Sequence, residues 1–252
     1  MKTSLMLSFI LLLTFCPVLS AQSDPTVFTI FMAGNSTMAI KAYKGSNPER
    51  GWGEVFPLYF KEGVKVENHA RNGRSTKGFI DEGRWQEIVD KIKPGDYVII
   101  EFGHNDEKKE DPKRYAEPHT DYKYNLQKFV NETREKGGKS ILATPIVRRR
   151  FDEQGNFYDT HGDYPAVVRE VAAEMDVPLL DLHKKSEETL IQFGKEESVK
   201  LFLHVAPGEY ERFPDGKEDD THLSGTGAFK ICDLAAEEIR EKIPALAEWL
   251  KD

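Results

Sequence analysis

Two ends of the chain carry residues able to work on one reacting carbonyl. Ser36 stands in Gly34-Asn35-Ser36-Thr37, directly after the apolar run Phe28 to Met32. A serine that leaves a strand and opens a helical turn has its hydroxyl at the sheet edge. Its backbone N–H then lies at a positive helix N-terminus, where a developing oxyanion is favoured. The same placement also describes an N-cap serine. Near the other end, Asp219-Asp220-Thr221-His222 puts a carboxylate three residues before a histidine, on what reads as a loop entering the last helix. Serine is a weak nucleophile until an imidazole takes its proton. That imidazole in turn needs a carboxylate to fix its tautomer and stabilise its charged form. Taken alone, the two aspartates equally fit solvated acids before a capped helix. Between these ends, Asn72-Gly73-Arg74-Ser75 offers a backbone N–H at Gly73 with no side chain to block close approach. Gly103-His104-Asn105-Asp106 offers the side-chain amide of Asn105. With the Ser36 N–H these make three donors for an oxyanion, although each residue alone also fits a turn. Together the four clusters spell acyl transfer through a serine.

These clusters need a scaffold that brings them to one edge. Short apolar runs at Val27 to Met32, Val64 to Val66, Tyr97 to Phe102, Lys139 to Thr144 and Val177 to Leu182 predict strands. Several are continuously apolar, as strands covered on both faces are. Asp121 to Lys136 and Tyr164 to Met175 have helical spacing, with Gly137-Gly138 as a stop, and Gly227 to Lys242 predicts a closing amphipathic helix. Alternating strands and helices imply a parallel sheet flanked by helices, with ligands at the carboxyl ends of the strands. Three of the four clusters follow predicted strands.

Lys2, the apolar stretch Leu5 to Phe15 and the small residues Ser20 and Ala21 predict a secretory signal over residues 1–21. Cys16 reads as part of it, because the bulky Phe15 does not suit a lipoprotein signal. Residues 22–252 then form one domain, large enough to bury a core without staples, and no later stretch is long enough to span a membrane. Cys232 would be the sole mature cysteine, which excludes an intramolecular disulfide and suits a bacterial periplasm or the extracellular space. Its neighbours Phe229, Ile231 and Leu234 mark it as a buried hydrophobe. The formal charge of -8 disfavours nucleic acid as a partner. His161 and His183 lack metal-ligand spacing, and no His-Glu-x-x-His is present, so no metal site is expected. Trp52 and Trp85 read as core or loop-bracing residues, and His69 and His104 as structural hydrogen-bonding groups.

The order Ser36, Gly73, Asn105, His222 resembles the SGNH (GDSL-type) hydrolases. Gly-Asn-Ser-Thr-Met-Ala (34–39), Ala-Arg-Asn-Gly-Arg-Ser-Thr (70–76), Phe-Ile-Asp-Glu-Gly-Arg-Trp (79–85), Phe-Gly-His-Asn-Asp (102–106), Thr-Pro-Ile-Val-Arg-Arg-Arg-Phe (144–151) and Asp-Asp-Thr-His-Leu-Ser (219–224) look like the rhamnogalacturonan acetylesterases among them. The resemblance implies a three-layer α/β/α sandwich of the flavodoxin-like type around about five parallel strands. It implies Ser36 as nucleophile, Gly73 and Asn105 as oxyanion donors, His222 as general acid/base and Asp219, rather than Asp220, as its orienter. No cofactor is implied. The implied partner is an acetylated pectic polysaccharide or oligosaccharide, an anionic polymer of rhamnose and galacturonate. Arg148, Arg149 and Arg150 follow the fourth predicted strand, and arginine forks suit carboxylates. With the resemblance they are candidates for galacturonate; without it they read as a solvated loop. One departure stands out: the family usually has Gly-Asp-Ser where this chain has Asn35. Other acetylated glycans such as xylan, a broader lipase or thioesterase activity, and a non-catalytic carbohydrate-binding role are the competing expectations.

Overall fold

The computed structural model describes residues 27–252, so the signal expected over 1–21, with Lys2 and Cys16, lies outside the described residues. Five strands form one sheet: β1 (Phe28–Gly34), β2 (Val64–Asn68), β3 (Tyr97–Glu101), β4 (Lys139–Ala143) and β5 (Leu179–Leu180). All pair in parallel, in the order β2-β1-β3-β4-β5. The alternation of side chains along a strand sorts residues to two faces. Ile30, Met32, Ile99 and Ile141 enter one core, while Phe31, Ala33, Val98, Ile100 and Leu142 enter the other. Both faces are therefore buried, which explains why these strands read as unbroken apolar runs.

Helices cover each face. Phe79 of α2 (Thr76–Asp81), Trp85 and Ile88 of α3 (Arg84–Val89), Phe129 of α4 (Lys123–Glu135) and Val167 of α5 (Tyr164–Glu174) fill the second core. Trp52 of α1 (Trp52–Val55), Leu190 of α6 (Leu182–Glu197), Ala235 and Ile239 of α7 (Gly225–Lys242) and Leu246 of α8 (Pro244–Ala247) fill the first. The result is the three-layer α/β/α arrangement. Cys232 is buried in the first core, as its neighbours imply. The hydroxyl of Ser224 caps α7 by accepting from Gly227 N–H at 3.1 Å, a contact worth about 1 kcal/mol. Gly137, at φ +77°, ends α4 as expected. Among the described residues no helix is long and apolar enough to cross a membrane.

Two local expectations are corrected. The segment holding Asp219 and His222 is not a loop. It is strand β7 (Lys217–Leu223), paired antiparallel with β6 (Phe202–Val205) in a separate hairpin. The register places Leu203 opposite Asp219 but Phe202 opposite Leu223, so Asp220, Thr221 and His222 have no partner on β6. A bulge of this kind re-aims side chains. Ser36, likewise, does not open a helix. It lies in a single turn closed by Ala39 N–H donating to Asn35 O at 3.0 Å, and no regular helix follows until Trp52.

Candidate active site

In a sheet of order 2-1-3-4-5, the chain leaves β1 toward β2 on one side and leaves β3 toward β4 on the other, and the crevice between β1 and β3 opens at their carboxyl ends. Ser36 follows β1 and Asn105 follows β3, one on each side of that crevice. Gly73 follows the neighbouring β2. The bulged β7 brings in the fourth component from outside the sheet.

Asp219, His222 and Ser36 form a continuous relay. Asp219 Oδ2 lies 2.9 Å from His222 Nδ1, and His222 Nε2 lies 3.0 Å from Ser36 Oγ. A carboxylate can only accept, so Nδ1 carries the proton and Nε2 is left to accept from the serine hydroxyl. Asp219 is held by two further donors, the backbone N–H groups of Thr221 at 2.9 Å and His222 at 3.0 Å. Burial opposes its charge, but the hydrogen bonds from the His222 ring and from both backbone groups outweigh it and hold the carboxyl well below the usual range. Asp220 points elsewhere, to Arg149, Arg150 and His204.

Gly73 and Asn105 line the same cleft as Ser36 and His222. The φ of Gly73, +76°, is a conformation only glycine adopts without strain. Asn105 donates one amide hydrogen to Arg74 O at 3.1 Å, which fixes the amide plane and leaves its second hydrogen available. Asp106 braces both segments from within. Its carboxylate accepts from Thr76 N–H at 2.8 Å, Thr76 Oγ1 at 2.6 Å and Gly103 N–H at 3.1 Å.

Sequence reasoning missed Lys41. Its buried ammonium donates to Ser36 O at 2.6 Å and Asn72 Oδ1 at 2.8 Å and pairs with Glu49 at 2.7 Å. It thereby ties the serine turn to the glycine turn. Burial lowers its pKa, with Glu49 pulling the other way. A lone lysine in an irregular segment offered no signal.

The cleft above the relay has a volume of about 580 Å³ and is open to solvent. Lys108, Arg114, Arg148, Arg212 and Lys217 line it, against the acids Glu49 and Asp219. Both acids are already paired, with Lys41 and His222, and three of the cations have acidic partners as well: Arg148 has Glu107, Arg114 has Asp111, and Lys217 stands 4.0 Å from Asp219. The three consecutive arginines separate here. Arg148 reaches the cleft, bound to Glu107 and Thr160. Arg149 and Arg150 do not line it: Asp220 holds them at 2.9 and 3.0 Å, and Arg149 also donates to Ser198 and Lys195 O. A half-buried aspartate, which His204 also contacts at 2.8 Å, claims their charge. Arg212 and Lys217, invisible as a motif, take the place expected for them.

His104 also departs from expectation. It lines the cleft, yet both ring nitrogens are buried without a hydrogen-bond partner. Burial first, then the charges around His161 and Arg148, keep it neutral with a pKa well below the ordinary value. Its ring stands edge-on to that of His161 at 4.5 Å. Trp52 and Trp85 are both buried, their indole N–H groups donating to Glu101 and Glu132.

Comparison with known proteins agrees with this architecture. Over 212 residues, 84% of this chain and 89% of the relative, the sequence is 42% identical to the rhamnogalacturonan acetylesterase RhgT of Bacillus subtilis. It is 36% identical to the probable rhamnogalacturonan acetylesterase YesY of the same organism, across 84% and 92% of the two chains. The structure of YxiM from Bacillus subtilis matches with a TM-score of 0.73 at 27% identity, over 86% of this chain and 57% of that longer one. Axe2, an acetylxylan esterase from Geobacillus stearothermophilus, shares the fold with a TM-score of 0.59 at 20% identity, covering 86% and 96%. Residues 32–228 match the GDSL-like Lipase/Acylhydrolase family, and the chain belongs to it.

Proposed function

We propose that the chain removes acetyl groups from pectic rhamnogalacturonan by a serine mechanism. The observation that carries the chemistry is the unbroken Asp219–His222–Ser36 relay at the floor of an open cleft. Ser36 Oγ attacks the acetyl carbonyl while His222 Nε2 accepts its proton. Asp219 stabilises the resulting imidazolium. The oxyanion is received by the N–H groups of Ser36 and Gly73 and the free amide hydrogen of Asn105, each worth about 2.7–4 kcal/mol in the transition state. His222 then protonates the departing sugar hydroxyl. Water, deprotonated by the same base, releases acetate from Ser36.

Two features support a pectic substrate. RhgT, 42% identical, is a rhamnogalacturonan acetylesterase. The cleft is also cationic on a chain of net charge -8, so galacturonate carboxylates are drawn to this surface rather than to the rest of the molecule. Arg148, Arg212 and Lys217 are the residues placed to meet them. The reading includes one esterase domain over residues 22–252, a signal over 1–21 and export to the periplasm or beyond.

The test is acetate release from acetylated rhamnogalacturonan and from acetylated xylan, by the enzyme and its Ser36→Ala variant. Release from the pectic polymer that vanishes in the variant is the expected result. Release from xylan alone keeps the relay and overturns the substrate. Binding of either polymer without release overturns the catalytic reading.

A further inference from the structure

The turn that carries Ser36 is held from below by a buried polar cluster that the mechanism above does not use. Asn35, Thr37, Trp52 and Glu101 are all almost fully inaccessible to solvent. Glu101 ends β3 directly beside Gly34 at the end of β1. Its carboxyl accepts from Trp52 Nε1 at 2.8 Å, from Thr37 Oγ1 at 3.1 Å and, more weakly, from Ile146 N–H at 3.4 Å. Trp52 N–H in turn donates to Thr37 O at 2.9 Å. Asn35 Oδ1 accepts from Thr37 N–H and lies within reach of Thr37 Oγ1, both at 3.0 Å. The residues flanking the nucleophile are thus fastened to the end of the next strand.

Donors are scarce in this cluster. The Thr37 hydroxyl has one proton and two acceptors within reach, Asn35 Oδ1 and Glu101 Oε1. The orientation of the Asn35 amide is set by the Thr37 N–H, which requires the oxygen on that side. Its Nδ2 is left buried without a partner. A carboxylate at position 35 would replace that nitrogen with an oxygen for which no donor exists. It would also place a second acid on the same threonine as Glu101, whose own carboxyl is already pushed up to about 7 by burial, against its hydrogen bonds. Two acids sharing one site cannot both ionise without penalty.

We propose that Asn35 and Glu101 are a matched amide–carboxyl pair that positions the Ser36 turn, and that the pair accepts one carboxyl but not two. Glu101 is a positioning residue: it touches no reacting atom and acts through Thr37 and Trp52. The pairing also accounts for the orphaned Asn35 amide, which is the neutral member that a buried acid next door demands. With glutamine at 101, the amide donates to Thr37 Oγ1, the hydroxyl donates onward to residue 35 and Trp52 keeps its acceptor, while the long 3.4 Å contact from Ile146 N–H is given up. A carboxyl at 35 then becomes acceptable.

The inference rests on Ser36 as nucleophile, and a double-mutant cycle tests it with a small aryl acetate. Asn35→Asp is expected to lower kcat by roughly 10–100-fold with KM within about twofold, as misplacement of a nucleophile does. Tm falls by about 5 °C. In the Glu101→Gln background the same substitution should cost at least about tenfold less in kcat and recover most of the Tm loss. Equal losses in both backgrounds, or an Asn35→Asp enzyme as active as the parent, overturn the proposal. Should Asn35→Asp fail to fold, recovery of a folded, active Asn35→Asp/Glu101→Gln enzyme supports it and a misfolded double variant overturns it. If the parent releases no acetate from any ester, the functional reading fails by itself, while the coupling in Tm still decides whether the pair is matched.

Discussion

His222 Nε2 lies 3.0 Å from Ser36 Oγ across 186 residues of sequence. The contact joins two separate pieces of structure, the parallel sheet and the β6–β7 hairpin. Its geometry follows from how the hairpin is docked: Leu223 O accepts from Arg50 N–H at 3.0 Å, and Asp220 O from Arg149 N–H at 2.8 Å. The bulge between them leaves His222 free to turn toward the serine.

The two adjacent aspartates should separate cleanly by mutation. Asp219→Asn reverses the tautomer preference of His222 and should lower kcat on the order of 10²–10⁴-fold with little change in KM. Asp220→Asn should leave kcat within about tenfold but destabilise the protein by about 1–3 kcal/mol, because Arg149, Arg150 and His204 lose the negative charge and one of the two oxygens they share. Steady-state kinetics beside urea denaturation distinguishes them.

The cleft cations should discriminate by substrate charge. Arg212→Gln with Lys217→Gln should raise KM for the polyanionic polymer about tenfold or more and leave KM for a neutral aryl acetate within about twofold. The polymer KM of the parent should also rise with salt, as exposed electrostatic attraction does. Arg149→Gln should instead lower Tm with little effect on KM for either substrate, since its guanidinium is spent on Asp220, Ser198 and Lys195 O.

Close backbone approach makes Gly51 a support of the serine turn. A Cβ there would fall 2.2 Å from Ala39 O and 2.6 Å from Met38 C, both backbone atoms that cannot rotate away. Gly51→Ala should therefore destabilise by about 1–3 kcal/mol and lower kcat, read by thermal melts and aryl acetate turnover. The strain must move Met38 and Ala39, which close the turn that holds Ser36.

Stability should respond to pH through Glu101. Its folded pKa of about 7 stands above the ~4.3 of an unfolded glutamate. Between these values the folded protein holds a proton that the unfolded chain releases, so this group's contribution is largest below about pH 4 and declines as pH rises to about 7. The Tm of the parent minus that of Glu101→Gln should accordingly fall between about pH 4 and pH 7 and level off above that. A difference that stays flat would remove the effect.

The parts of the fold that were legible are those where burial dictates composition. Ile30, Val98, Ile99, Ile100 and Leu142 are almost fully buried on both faces of the sheet, so their strands could hardly be anything but apolar runs. The edge was less clear: the run Val177 to Leu182 contracts to Leu179–Leu180, since it has β4 alone to pair with. The hairpin left no trace, because Lys217–Leu223 is mostly charged, half-exposed, and broken by a bulge where alternation would otherwise show. The strand exits pointed to Ser36, Gly73 and Asn105, which follow β1, β2 and β3. They could not reveal Lys41 or Arg212, which reach the cleft from irregular segments with no pattern to read. Nor could a row of three arginines show that a single aspartate would divert two of them.

The hairpin also sets when the molecule becomes competent. Ser36 leaves the ribosome early, while β7 follows only after every strand of the sheet has been made. A nascent chain therefore carries Ser36 without His222 and Asp219, as an alcohol no more reactive than any other serine. The Asp219–His222–Ser36 relay is complete only when the last hairpin docks, so on the proposed mechanism the order of synthesis makes reactivity the last property the chain acquires.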